Sequence, residues 1–559
     1  MRQRALGACI LAVFCLVPLL ARAVPPDDVL REQIRERVEQ LRSGEGLQIE
    51  GSSVASEIVL PALYEQRGFA PVWTNQNSIA QLLNALRTID QDGLDPADYD
   101  LAQLEVMHRR LGASEAPEPA RQADFDLLLT DSLVRLGYHL LVGKVDPVEL
   151  DNNWNMDRTL DGLDPVLQTA SAVQDGTVND LIESLRPQHA FYHHLKRALA
   201  RYRGLAAHGG WQPVPPGAAL KPGMRDVRVK ALRRRLATTG DIRAVDLESD
   251  VFDATLEAGV KQFQQRHGLE ADGVVGAATL AALNVPVAAR IDQIRANLER
   301  ARWVLHDLPD EYVLVDIAGF NVRYFRDGSP IWETRAQVGK PYRKTPVFKS
   351  RITYLVMNPT WTVPPTILRQ DILPKLRADP GYLAKKKLRV IDRNGKVIDA
   401  GTIDWSKYPG AAFPYMLRQD PGPTNALGRI KFMFPNAHAV YLHDTPSRSL
   451  FDRSERAFSS GCIRIEHPYE FAALLLNDDV KWNQQKIVKA IDSRETMSVS
   501  LPRPVTVLLL YWTVGIDAKG DPLFKQDIYQ RDPAVVAGLG QRFQFRKRPV
   551  ITDQVPSGP

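Results

Sequence analysis

"YLHDTPSRSLFDRSERAFSSGCIRI", residues 441–465, holds the one cysteine of this 559-residue chain that lies beyond its first 20 residues. Both ends of the stretch read as strands. Side chains alternate across a strand, so Tyr441 and His443 share one face while Val440 and Leu442 take the other. Cys462 and Arg464 likewise face together, opposite Ile463 and Ile465. Two such strands make a polar site backed by a core, and if they pair, His443 can reach Cys462. A cysteine nucleophile needs a base to make thiolate and donors for the oxyanion that follows. The Ser459-Ser460-Gly461 turn lets backbone approach a substrate closely, and the N–H groups of Gly461 and Cys462 are the natural donors. Arg464 can hold the thiolate by charge or grip a substrate carboxylate bidentately.

The texture around this stretch is β from residue 311 onward. "EYVLVDIAGFNVRYFRDGSPIWETRAQVG" alternates and carries an Asp327-Gly328 hairpin signal. Further strand-like runs are "RITYLVMNPTWTV", "GRIKFMF", "AVYLHD", "CIRIEH" and "RPVTVLLLYWTVGI". An insertion of about residues 368–427 breaks this pattern with a helix and an Asn394-Gly395 hairpin. Its Lys385-Lys386-Lys387 run and Gly/Pro-rich exit suggest a mobile lid rather than core. Polar residues 535–559 read as a disordered tail.

Upstream, residues 24–208 repeat apolar side chains at helical spacing and show no catalytic cluster. His189, His193 and His194 lack a second cluster at metal spacing and read as ordinary surface or core histidines. Residues 209–224 are rich in Gly and Pro and read as a linker. Residues 225–286 follow as helix, loop, helix, Gly-rich turn and short helix. Phe263, Gln264, Gly268, Leu269, Asp272, Gly273, Gly276, Thr279, Leu283 and Asn284 resemble the small three-helix peptidoglycan-binding domain. A helix within 287–310 connects it to the β region.

The first 23 residues place Arg2 and Arg4 before an apolar run that ends in Ala21-Arg22-Ala23, which reads as a cleaved signal peptide and a periplasmic address. Cys9 and Cys15 would leave with it, so Cys462 would stand alone without a disulfide partner in an oxidising compartment. Lys and Arg total 71 against 66 Asp and Glu. That near balance is no nucleic-acid footprint.

The 441–465 stretch, with "MNPTWTVPPTI" upstream and "GPTNALGRIKF" between, resembles the catalytic domain of the L,D-transpeptidases, cysteine enzymes that cross-link peptidoglycan. His443 and Cys462 fit the family pattern of a His followed by Ser/Thr-x-Gly-Cys-x-Arg/Asn. Ser460 stands where the commoner motif has a second His. That departure matches a large subgroup with a helical N-terminal domain, a peptidoglycan-binding domain and a capping insertion. The resemblance implies a multidomain α+β chain: a helical scaffold domain, the three-helix domain, and a mainly-β catalytic domain over 311–534. It implies Cys462, His443, Gly461 and Arg464 as the catalytic set, with Tyr441, Ser460, Asn358 and Trp361 lining the substrate channel; for Trp361 a core position is the competing reading. Cys462 would take the acyl group of a tetrapeptide stem with loss of D-alanine and pass it to a diaminopimelate amine, without metal or cofactor. Peptidoglycan synthases are candidate partners. Three rivals remain: an L,D-carboxypeptidase, in which water replaces the amine; a wall-binding scaffold without activity; and a papain-like protease, disfavoured because His443 precedes Cys462.

Overall fold

The computed structural model describes residues 26–152, 154–156, 164–379, 381–408 and 413–542. The expected signal peptide, residues 1–23, and residues 543–559 of the tail lie outside these, as do residues 409–412 of the insertion's exit. The described residues fall into two compact units: those within 26–83, 100–134 and 164–178 form one, and those within 84–99, 135–156 and 179–542 the other.

In the first unit the helices expected from periodicity are joined by an unexpected hairpin, Leu47–Ile49 against Ser52–Val54. Its core carries a buried carboxylate. Asp126 accepts hydrogen bonds from the Val72 and Trp73 N–H groups, 2.9 Å each, and from the Tyr64 hydroxyl at 2.6 Å. Those donors replace the water that burial removes.

The second unit corrects three boundaries drawn from sequence. Helix Ala190–Ala207, counted with the N-terminal domain, sends Tyr192, Leu195, Leu199 and Tyr202 into the same hydrophobic core as the catalytic sheet. Those positions recur at three and four residues, one stripe of a helix, and the stripe packs where helix Val287–Val304 and Trp512 cover it. The 209–224 linker is instead part of the small helical domain: Val214 is fully buried in its core and exchanges hydrogen bonds with the Asn284 side chain at 2.8 and 2.9 Å. Leu220 pairs with Val275. Finally, the tail does not begin at 535, because Asp532–Leu539 is a helix that buries Val535 and Leu539.

The small domain has the expected helices Arg228–Thr239, Ala254–Arg266 and Ala277–Leu283. Its recurrent residues are its wiring. Gln264 donates to Asp272, Val274 and Thr279 and accepts from the Gly273 N–H, which fastens the Gly-rich turn to the second helix.

The region from residue 311 onward holds one nine-stranded sheet. Its strands are β1 (Glu311–Asp316), β2 (Asn321–Arg326), β3 (Ser329–Gly339), β4 (Phe348–Met357), β5 (Ile430–Met433), β6 (Leu442–His443), β7 (Ala457–Ser459), β8 (Ile463–Ile465) and β9 (Met497–Leu510). The order is β7-β3-β8-β6-β5-β4-β9-β1-β2, and β2 also pairs with β3, so the hydrogen bonding returns on itself. The β2–β3 hairpin turns at Asp327 and Gly328, both with positive φ (51° and 71°), as a type I′ turn requires.

Between β4 and β5 the insertion builds a second, four-stranded sheet from Trp361–Thr362, Met416–Gln419, Leu388–Ile391 and Val397–Ile398, in that order. Its own core contains Val363, Leu373, Leu376, Val390 and Leu417. The insertion therefore has a packed centre, against the expectation of a mobile segment without core.

Candidate active site

Strand register decides which side chains meet. Lys431 on β5 lies opposite His443 on β6, His443 lies opposite Arg464 on the parallel strand β8, and Arg464 lies opposite Gln337 on β3. Directly opposed residues point to one face. Lys431, His443, Arg464 and Gln337 thus form a polar row across four strands. Tyr441 and Cys462 stand two residues earlier on their segments, on the same face. Behind the row Ile430, Phe432, Leu442, Ile463 and Ile465 are fully buried. The alternation read from the sequence holds, and the two strands do pair.

The thiol's hydrogen bond nevertheless goes to the Ala439 carbonyl, at 3.7 Å, rather than to His443. Ala439 adopts a left-handed conformation (φ 52°) that a non-glycine residue rarely takes. Asn436 holds it there, accepting from the His438 and Val440 N–H groups and donating to the Phe434 and Val440 carbonyls. Burial pushes the Cys462 thiol up. The Tyr441 N–H, the Arg464 charge, the Tyr441 hydroxyl and the Lys431 charge all oppose that by favouring thiolate.

His443 is buried, and its Nδ1–H donates to the Asp444 carbonyl at 2.5 Å, which leaves Nε2 as the basic nitrogen. Burial first, then the Arg464 charge, push the imidazole down to about 3, so it is neutral at neutral pH. Its ring meets Tyr441 edge to face, centroids 5.6 Å apart. Arg464 is not engaged in a surface salt bridge. One of its nitrogens donates to Gln337 Oε1 at 3.2 Å, and its buried Nε has no hydrogen-bond partner among the described residues.

The turn before the thiol is over-determined. Gly461 has φ 119°, a conformation open to glycine. Its N–H donates to Ser459 Oγ at 3.1 Å, and that hydroxyl donates in turn to the Cys462 carbonyl at 2.6 Å. The Gly461 N–H, expected from sequence as an oxyanion donor, is thus bonded to Ser459 Oγ in this structure. The Gly461 carbonyl accepts from buried Thr345 Oγ1 at 2.8 Å, and Thr345 is fixed by the Gly339 N–H and the Tyr529 hydroxyl. Exposed Ser460 accepts from Arg343 at 2.9 Å.

Two expected channel residues are elsewhere. Asn358 is fully buried with φ 49°, and its Nδ2 donates to the carbonyls of Ala490, Ile491 and Glu495, so it caps the end of helix Gln484–Asp492. Trp361 belongs to the insertion's sheet, paired with Gln419, and packs on the insertion's core. Conversely, Lys431, Gln337, Thr345 and Arg343 were missed. Only Lys431 left a signal: in "GRIKFMF" it is the one charge on an otherwise apolar strand between Ile430 and Phe432.

Comparison with known proteins bears on this site. Residues 310–492 match the family described as the L,D-transpeptidase catalytic domain, 59–199 the one described as a scaffold domain, and 225–283 the one described as "Putative peptidoglycan binding domain". A curated Haemophilus influenzae protein named "Putative L,D-transpeptidase" is 38% identical over 242 residues, which is 43% of this chain and 48% of that protein. The chain thus spans about half the length of this curated relative. A solved L,D-transpeptidase from Xylanimonas cellulosilytica is 14% identical with a TM-score of 0.18, covering 54% of this chain and 100% of that one. Another from Stackebrandtia nassauensis is 15% identical with a TM-score of 0.20, covering 53% and 96%. Overlays that shallow carry no argument. The domain match does, and by it residues 310–492, the part of the chain that holds Cys462, are similar to the L,D-transpeptidase catalytic domain.

Proposed function

We propose that this protein forms 3→3 cross-links in peptidoglycan by acyl transfer through Cys462. The observation that carries the reading is the thiol's position on a polar face with a neutral imidazole and a guanidinium that has no carboxylate partner among the described residues. In the first step Cys462 Sγ attacks the carbonyl carbon of the third residue of a tetrapeptide stem while His443 Nε2 takes the thiol proton. The C–N bond then breaks, the amine of D-alanine leaves with that proton, and a thioester remains. In the second step a diaminopimelate side-chain amine attacks the thioester, the C–S bond breaks, and a proton from that amine returns to sulfur through His443. The Cys462 N–H faces the oxyanion. Arg464 holds the carboxylate of the departing alanine, and that carboxylate also offsets the charge that depresses His443.

The insertion acts as a lid that keeps water from the thioester. It is joined to the site by Arg343, which donates to Ser460 on one side and to Gln370 and Asp371 on the other. Peptidoglycan is the substrate, the 225–286 domain holds the glycan polymer nearby, and the reaction takes place in the periplasm after removal of residues 1–23. Synthases of that polymer are the proposed partners.

The test is incubation of purified protein with disaccharide-tetrapeptides and mass spectrometry of the products. Cross-linked dimer plus free D-alanine is expected. Tripeptide alone would make the protein an L,D-carboxypeptidase, and unchanged substrate would leave a wall-binding scaffold.

A further inference from the structure

Lys431 is the cation of the polar row that no resemblance singles out. It is half-buried on β5, opposite His443 on one side and Val356 of β4 on the other, and its ammonium lies 5.6 Å over the Tyr441 ring. No carboxylate pairs with it among the described residues. A partly buried ammonium without a counter-charge is costly, since burial removes its hydration. Burial does lower the Lys431 ammonium, and the one group that opposes this is Cys462 in its ionised form. The charged and titratable groups that face it are Cys462, Tyr441 and His443, with Arg464 one strand further on.

We propose that Lys431 is an electrostatic positioning residue whose counter-charge is the Cys462 thiolate formed when His443 takes the thiol proton, and that Lys431 and Arg464 together stabilise the sulfur anion as it attacks. The geometry points to Lys431: it shares the sheet face of Cys462 and its ammonium lies over the ring of Tyr441, the residue that precedes His443 by two on the same segment. A cation at Lys431 also leaves Arg464 free to engage a substrate carboxylate without discharging the sulfur's whole field. The proposal deepens the cysteine-transfer reading, but its test reads the thiol alone, without peptidoglycan. Failure here would leave the transfer reaction itself untouched.

The measurement is the pH dependence of Cys462 alkylation by iodoacetamide in the full-length protein. Lys431→Met is expected to move the inflection upward by about one unit, which is about a tenfold loss of rate on the ascending limb. Lys431→Arg is expected to restore it, and Lys519→Met, which removes the same charge from a remote exposed turn, to leave it in place. If Lys431→Met does not fold, Lys431→Gln carries the same comparison. An inflection unmoved in a folded variant without the charge, or one that Lys431→Arg fails to restore, overturns the proposal.

Discussion

Arg343 ties Ser460 to Asp371: one guanidinium donates to the hydroxyl two residues before the thiol, at 2.9 Å, and to a carboxylate on the insertion's first helical segment, at 3.0 Å. The insertion and the turn therefore share a side chain. The double variant Gln370→Ala with Asp371→Ala breaks the link on the insertion's side and leaves the turn's other hydrogen bonds alone. It is expected to shift products from cross-linked dimer toward tripeptide while a carbapenem still acylates Cys462. A dimer-to-tripeptide ratio equal to that of the unaltered protein would remove the insertion from the reaction.

Cys462→Ala is expected to abolish transfer and leave the fold intact. The thiol's own hydrogen bond, to Ala439, is long, and the turn around it is held by Ser459 and Thr345 instead. Unchanged circular dichroism together with zero turnover and no carbapenem adduct is the expected result. Turnover near that of the unaltered enzyme would displace the nucleophile assignment.

His443 sets an acid limit on stability. Its folded value of about 3 lies below the ordinary value near 6.5 of an unfolded histidine, so the unfolded chain binds the proton first. The stability due to the neutral ring is complete above pH ~6.5 and is lost as pH falls toward about 3. At about 1.4 kcal/mol per unit this amounts to several kcal/mol. His443→Gln should flatten the decline in melting temperature between neutral and acidic pH. Equal acid slopes in the two proteins would contradict the neutral, buried ring.

Asn358→Ala should act on stability and not on chemistry. It removes an amide shared among three carbonyls and leaves a non-glycine, non-asparagine residue at φ 49°. A loss of about 1–3 kcal/mol is expected. Carbapenem acylation of the folded fraction should be unaltered, and a selective loss of acylation with full stability would return Asn358 to the substrate channel.

A fragment of residues 211–286 should sediment with isolated sacculi and melt higher than one of 225–286. The longer fragment keeps Val214, Leu220 and Trp211, on whose ring the Arg235 guanidinium stacks at 3.9 Å. Equal melting temperatures would make residues 211–224 a mere tether. A folded 211–286 that stayed in solution at every salt concentration would reduce the domain to a spacer.

What could be read from sequence and what could not divide along physical lines. Alternation within "AVYLHD" and "CIRIEH" was legible because it is local, and so was the Asp327-Gly328 turn, whose two positive φ angles suit Asp and Gly. Register was not legible. Nothing near Lys431 or Gln337 announces that each would stand beside His443 or Arg464, because β-sheet partners are chosen by the whole fold. The Asn358 and Trp361 expectations rested on nearness in sequence to the motif. The chain turns away at the left-handed Asn358 and enters a different sheet by Trp361. The bond from the Gly461 N–H to Ser459 was not legible for a more local reason: Ser459, read only as a small turn residue, has a hydroxyl that reaches that N–H.

The strand order carries a consequence for how the protein comes into being. Gln337 and Arg464, partners in the polar row, are 127 residues apart in the chain, and β4 lies between β5 and β9, which closes on it only after residue 497. Pairing over such distances pays its loop-closure entropy before any contact compensates it, so these strands join late in folding. A nascent chain just long enough to contain Cys462 therefore has the sulfur, Lys431 and His443 but not the last strand, against which β4 closes. Chemical competence arrives with the final strand, and a reagent that needs the assembled row to react measures the completion of folding rather than the presence of the polypeptide.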